Sequence, residues 1–338
     1  MAPLARNWET WEGRSFVSQA NEPRATCPSC NSVATAPLWP VTDRLFRTTT
    51  RKFWIRRCRR CSIEYLHPLP TAAELATYYP EAYWTGSGTG SGVLPRLMEM
   101  YRRLALFDHV RFVRRIVREQ RAARSFVGIL DVGCGDGSFL EACGVRPALG
   151  LDWSHAAVQA VRARGFPAVR GTLSDAPFRD GAFSIVTMFH YLEHVASARD
   201  HLGAVRRLLR RDGKLVVQVP NADSWQRRIL RSRWAGYDPP RHLVNYSTET
   251  LARTLTEHGF QLVRRTHLSL RDNPTTLINS LTPQLYPPAI ASREHGPLLR
   301  LSASIAYFAA VLVAMPLCQL EALFGKGAAV MCEAAPHQ

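Results

Sequence analysis

The sequence predicts an α/β fold with a small metal-binding type of module in front of it. Three observations carry this. From 126 to 219, apolar β-type runs alternate with helical stretches, the pattern of βαβ units around a parallel sheet. A glycine-rich loop, Gly133-Cys-Gly-Asp-Gly137, directly follows the first of those runs. Two Cys-x-x-Cys pairs, Cys27/Cys30 and Cys58/Cys61, precede the whole series.

Composition sets the bounds. A chain of 338 residues accommodates one large α/β domain and a small accessory module. A hydrophobic fraction of 46% excludes wholesale disorder. Residues 1–26 are polar and irregular, with no apolar run of the kind a secretory signal needs. The eight cysteines fall into two tight pairs and four single positions, which is not a secreted disulfide framework. We therefore expect a reducing, cytoplasmic setting. The formal net charge of +16 favours anionic partners. Yet only Lys52, Lys214 and Lys326 among the 43 basic residues are lysines. So strong an arginine skew is a compositional bias, and charge alone assigns no partner.

Along the chain, residues 27–66 carry the cysteine pairs and 67–84 form a connector rich in proline and aromatics. Residues 86–92, Gly-Ser-Gly-Thr-Gly-Ser-Gly, are a flexible linker by composition. An arginine-rich helix is predicted at about 95–124. Strands are predicted at 127–132, 147–151, 167–170, 183–189, 214–219, 260–268 and 328–334, with a long apolar insertion at about 277–324. The expected division is a module and connector at 1–85, a linker and basic helix at 86–125, and the main domain at 126–338.

Ile129-Leu-Asp-Val132 reads as a buried strand ending in an acid, and the glycine loop then turns into a helix near Ser138. Glycines let backbone approach a ligand at positive φ, and the helix start offers unpaired N–H groups to a carboxylate or phosphate. Asp152 ends the next predicted strand, where a carboxylate can accept both hydroxyls of a ribose. Asp175 precedes Ala-Pro-Phe at a point suited to a nucleobase. These residues alone indicate a nucleotide-type ligand.

The ordered series ILDVGCGDGSFL, GLDWS, GTLSDAPFRDGAFSIV, HYLEHV and RRDGKLVVQVPN resembles the class I methyltransferase superfamily. That resemblance implies a Rossmann-like sheet of seven strands with a reversed C-terminal hairpin, and S-adenosylmethionine as cofactor. It implies Asp131 and Gly133 near the methionine moiety, Asp152 on the ribose, Asp175 and Ala176 at the adenine, and Gly135, Gly137, Trp153 and Phe189 completing the cofactor set. One departure is Phe183-Ser184, where the family usually has Phe-Asp.

Two Cys-x-x-Cys knuckles separated by β-type sequence suit a closed tetrahedral zinc site on Cys27, Cys30, Cys58 and Cys61. Such a site is structural and stabilises a module too small for its own core. With its tail of Pro68, Pro70 and Tyr78-Tyr-Pro-Glu-Ala-Tyr-Trp84, the module is similar to the zinc-binding N-terminus of a bacterial methyltransferase group acting in saccharide, lipid or natural-product pathways.

Methyl transfer to a hydroxyl needs alignment and a base. His190 and His242 are the candidate bases, with Tyr237 and Arg241 as candidate substrate contacts in the segment Tyr237-Asp-Pro-Pro-Arg-His242. His190, Glu193 and His194 form a His-x-x-Glu-His set able to bind a divalent cation, although Glu-His at this place commonly caps a helix.

Residues 301–320, LSASIAYFAAVLVAMPLCQL, carry no charge and are long enough to span a bilayer. Only seven residues separate it from the predicted last strand, so a single crossing would leave that strand on the far side. The segment is therefore a core helix, a dimer helix, or a helix dipping into one leaflet, where the basic helix could join it on anionic headgroups.

The leading expectation is methyl transfer to a small-molecule hydroxyl on a saccharide, lipid-linked or natural-product acceptor. The alternatives are an RNA methyltransferase using the basic surface, and a cofactor-binding assembly subunit without turnover. The expected partner is the small-molecule substrate, with nucleic acid ranked below it. Peripheral membrane contact and a homodimer are further expectations.

Overall fold

The structure, a computed structural model, describes residues 25–80, 105–125, 128–287, 290 and 296–337. The expected linker at 86–92 and the first part of the basic helix lie outside these residues.

Seven strands form the main sheet: β4 (Ile129–Val132), β5 (Ala148–Asp152), β6 (Ala168–Arg170), β7 (Phe183–Phe189), β8 (Leu209–Pro220), β10 (Phe260–Thr266) and β11 (Ala329–Pro336). Their order is β10-β11-β8-β7-β4-β5-β6. The strands from β6 to β8 run parallel, whereas β11 lies antiparallel to both β8 and β10. All four residues of β4 are buried, as befits a strand covered on both faces by helices. On one face lie α2 (Phe107–Ala122), α3 (Ser138–Cys143) and α4 (His155–Ala163), whose Val113, Ile116, Phe139 and Val158 share one core cluster. A second cluster takes in Leu202 and Val205 of α5 (Ala198–Leu208) with Leu130 and Val186 of the sheet. The arginines of α2 point outward from the first core. β8 starts five residues ahead of the predicted strand, carrying its pairing with β7 back to Leu209.

The N-terminal part is an antiparallel sheet of β1 (Thr35–Val41), β2 (Phe53–Cys58) and β3 (Glu64–His67), followed by α1 (Ala72–Thr77). Its fourth strand, β9 (Val244–Asn245), comes from the main domain, between α6 (Trp225–Leu230) and α7 (Thr248–Glu257). The core is shared as well. Phe53, Ile55 and Leu66 lie in one cluster with Leu192, Val217, Leu243 and Tyr246. The division expected at residue 85 is therefore not a break in the packing.

Two polar contacts seal this junction. Tyr237 Oη donates to Glu64 Oε2 at 2.9 Å, while Arg227 reaches both Tyr237 Oη and Glu64. Arg241 is wholly buried, and all five of its N–H groups are used. They go to both oxygens of Asp43, both oxygens of Asp238 and the Tyr78 carbonyl, at 2.7–3.1 Å. Phe46 covers the guanidinium at 4.7 Å. Tyr237 and Arg241, expected to touch substrate, instead join the two parts of the protein. Their side chains are consumed by Glu64 and by Asp43 and Asp238.

The insertion between β10 and β11 contains α8 (Asp272–Leu281) and α9 (Pro297–Leu323). Ile278 of α8 meets Tyr307 and Val311 of α9. The opposite face of α9 is exposed, so it is not a core helix.

Replacing Arg241 by Met should cost about 3–5 kcal/mol, because Asp43 and Asp238 then face each other buried and without their cation. Urea unfolding checks this; a loss below about 1 kcal/mol would mean the cluster is dispensable.

Candidate active site

The C-terminal ends of β4, β5 and β7 open into a cavity of about 740 Å³, within the usual ligand-pocket range of roughly 300–1,000 Å³. The crevice beyond the carboxyl ends of parallel strands is where this architecture places its ligand. Val132 to Asp136, Asp152, Trp153 and Phe189 to Tyr191 form its floor. The N-terminal part supplies the opposite wall through Ala72, Leu75, Ala76 and Tyr79. A capping box holds α1 there: Glu74 N donates to Thr71 Oγ1 at 3.2 Å and Thr71 N to Glu74 Oε2 at 2.7 Å.

Of the expected cofactor residues, Asp131, Gly133, Gly135, Asp152, Trp153 and Phe189 line the cavity. Gly133 (φ +69°) lies so close to Tyr191 that a Cβ would come within 2.9 Å of its ring. Gly135 (φ +51°) has no atom within 4 Å of where a Cβ would stand, leaving its backbone open to a ligand. Its N–H donates to Asp152 Oδ2 at 3.1 Å, and Ser154 N donates to Oδ1 at 2.9 Å. Each oxygen keeps a lone pair for a hydroxyl. Asp131 accepts from Thr187 Oγ1 at 2.6 Å. Burial pushes Asp131 up to about 7, with the charge of Asp152 adding to the effect.

Three expected cofactor residues stand elsewhere. Gly137 starts α3 behind the loop, against Val161. Asp175 is exposed and accepts from Thr172 Oγ1 at 2.7 Å, so Gly171 and Thr172 line the cavity in its place. Ala176 turns into the core.

His190 lines the cavity at φ +50°, a backbone conformation costly for a side chain of this size. Its Nδ1 is 3.1 Å from Glu193 Oε1 and its Nε2 3.3 Å from Asp272 Oδ2. Burial opposes its charge, but Asp272 and Glu193 outweigh burial and push it up to about 9. With its pKa raised and both nitrogens engaged, Nε2 also by the Gln218 side-chain amide at 3.0 Å, His190 is not placed to act as a base. Nor does His242 reach the cavity. Its Nδ1 donates to the Gly236 carbonyl at 2.8 Å, beneath the ring of His194.

The cation set read from the sequence is also rearranged. Ligand atoms of Glu193, His194 and His242 lie within 4.8 Å of one another, whereas His190 turns to Asp272. Glu193 Oε2 is buried without a partner among the described residues, and the Gly236 carbonyl orients His242 as outer carbonyls orient metal-binding histidines. These three are the residues here that could hold a cation. In the N-terminal sheet, Cys27 Sγ and Cys61 Sγ are 3.5 Å apart, as are Cys30 Sγ and Cys58 Sγ, and all four sulfurs lie within 4.8 Å. A tetrahedral site with Zn–S bonds of about 2.3 Å has edges of about 3.8 Å, so the four thiols fit one.

Sequence reasoning missed His109, Tyr79, His201 and Arg271, all of which line the cavity. His109 is fully buried, lies 4.6 Å from the Phe189 ring, and neither ring nitrogen has a hydrogen-bond partner among the described residues. Its Nε2 stands 3.9 Å from Asp272 Oδ2. Burial drives its pKa down to about 3 and that of His194 to about 4, so both rings are neutral. Their one sequence signal is that His109 falls on the buried face of the basic helix and His194 beside Glu193.

Residues 100–265 match the family model described as a methyltransferase domain. The chain carries a class I, S-adenosylmethionine-dependent methyltransferase domain. A Mycolicibacterium smegmatis protein named "Probable S-adenosylmethionine-dependent methyltransferase" is 33% identical over 140 residues, covering 39% of this chain and 51% of that one. A Mycobacterium tuberculosis protein of the same description is 33% identical over 140 residues, covering 39% and 48%. The matched part thus spans about half the length of these curated relatives. Among solved structures, a methyltransferase from Archaeoglobus fulgidus aligns with a TM-score of 0.44 at 19% identity, over 71% of this chain and 98% of that one.

The methyltransferase domain should bind S-adenosylhomocysteine more weakly as pH falls below about 7. The resemblance implies that Asp131 faces the methionine moiety; an Asp131 in that role must give up its proton on binding, and the Kd should then rise toward tenfold per pH unit. Calorimetric titration across that range tests it; a flat Kd would contradict the assignment, and Asp131→Asn should flatten it.

Proposed function

We propose that the chain transfers a methyl group to a hydroxyl of a small saccharide, lipid-linked or natural-product acceptor held in the same cavity as the cofactor. The observation that carries this is His109, a buried imidazole on the cavity wall with unpartnered nitrogens beside Asp272. Bound S-adenosylmethionine supplies an electrophilic methyl. Asp152 would accept the ribose hydroxyls, Asp131 would face the ammonium group, and Trp153 and Phe189 would flank the ligand.

A neutral imidazole can take the acceptor's proton; a charged one cannot. Burial alone makes His109 a weak base, so the role rests on Asp272, 3.9 Å from its Nε2, whose carboxylate would stabilise the imidazolium that forms. His190 stays protonated and keeps Asp272 ionised: although burial opposes it, Arg271 and His190 hold Asp272 well below the usual carboxylate range. His194, tied to Tyr79 Oη at 2.8 Å, sets the acceptor-side wall. Zinc on the four cysteines would hold β2 and β3, and through them α1, in place as a structural ion.

Replacing His109 by Gln should lower kcat by roughly 10²–10⁴ while leaving S-adenosylhomocysteine affinity near wild type. Transfer of labelled methyl to fractionated hydroxylated acceptors gives the rate, and calorimetry gives the affinity. Unchanged turnover would remove His109 as the base. Chelation of zinc should lower the melting temperature of the protein, with one zinc per chain lost by elemental analysis; a metal-free protein of unchanged stability would refute the zinc reading.

A further inference from the structure

We propose that the outer face of α9 docks on an anionic lipid leaflet, with the helix lying along the surface rather than crossing it. Along this helix the buried positions are Tyr307, Val311, Cys318 and Glu321. The remaining turns present Leu298, Leu299, Leu301, Ile305, Leu312 and Val313, and then Leu317, Leu320, Leu323 and Phe324, all exposed. An 18-residue window here is only 22% buried at a mean hydropathy of 2.0. A helix of 27 residues is about 40 Å long, so the apolar stripe runs far beyond the scattered apolar residues normal on a soluble surface.

The strand after the helix excludes a crossing. The chain re-enters the main sheet at Ala329, and only residues 324–328 separate that strand from the end of the helix at Leu323. The inner face is also committed, through Tyr307 and Val311 against Ile278 and through Gln226 to Glu321 at 2.9 Å. Only the outer face is left to meet the membrane.

Charge separates lipid from a second copy of the chain as the occupant. The stripe is uncharged from Leu301 to Leu320, and cations gather at its ends. Arg300 is exposed at one end. At the other, Trp225 stacks on Phe324 at 5.4 Å, which brings α6 alongside. There Ile229 is 77% exposed, flanked by exposed Arg231 and by exposed Arg228, which also pairs with Asp223 at 2.5 Å. An apolar band with arginines at its margins matches acyl chains bordered by headgroup phosphates.

The full-length protein is sedimented with vesicles of neutral lipid alone and of neutral plus anionic lipid. Wild type should partition onto both and more strongly onto the anionic set. Leu312→Glu, Val313→Glu and Leu317→Glu together should reduce partition at least ~100-fold, since each apolar side chain leaving the interface forfeits several-fold binding. Arg228→Gln with Arg231→Gln should remove about 30-fold of binding to anionic vesicles and little from neutral ones. Unchanged melting and S-adenosylhomocysteine binding would show that both variants fold. Wild type remaining in the supernatant, or the glutamate variant binding as wild type, would overturn the proposal. So would a dimer by light scattering that the same glutamates dissociate.

Discussion

Arg241 is the constraint on which the remainder of the site depends. A guanidinium removed from water is tolerated only where every donor is met, and here all five are. Asp43 is itself over-determined, accepting also from Phe46 N, Thr48 N and Thr48 Oγ1 at 2.7–3.1 Å. The arginine side chain fixes the carbonyl of Tyr78, and its own carbonyl lies 3.1 Å from His194 Nδ1. One residue therefore positions both Tyr79 and His194, which meet at the cavity wall. Such a cluster contributes geometry more than net stability, since well-packed apolar residues could replace its energy but not its directions.

The second organising feature is how three neighbouring imidazoles are held in different charge states. His190 lies between Asp272 and Glu193 and is charged. His109 and His194 are desolvated and neutral. Burial acts on all three in the same direction; the two carboxylates decide the outcome only where they touch the ring directly. This sorting leaves the neutral rings for proton transfer or hydrogen bonding and gives Asp272 a permanent counter-charge. The positive φ at His190 is what turns its ring back toward Asp272 at the end of β7.

Much of this is legible in the chain. The five parallel strands fall where β-type runs alternate with helices, because a parallel sheet covered on both faces demands continuous apolar segments. The loop at Gly133 and Gly135 and the acids at 131 and 152 are readable because backbone approach to a ligand requires those residue types at that spacing. Tyr237 and Arg241 mislead for a reason equally physical. Polar residues near a predicted acceptor loop look available until a partner from a distant segment covers them, and Glu64 and Asp43 lie 173 and 198 residues away in sequence. Asp272 gives no signal because an acid opening a helix in an insertion usually serves the helix alone. The two-residue strand β9 is too short to carry a pattern.

Both parts of the protein line one cavity, and the buried charge cluster holds them together around it. Hydrogen exchange with and without S-adenosylhomocysteine tests it directly. Binding should slow exchange in 131–139, and equally in 72–79 of the N-terminal part. Protection confined to 131–139, with 72–79 exchanging as before, would contradict it.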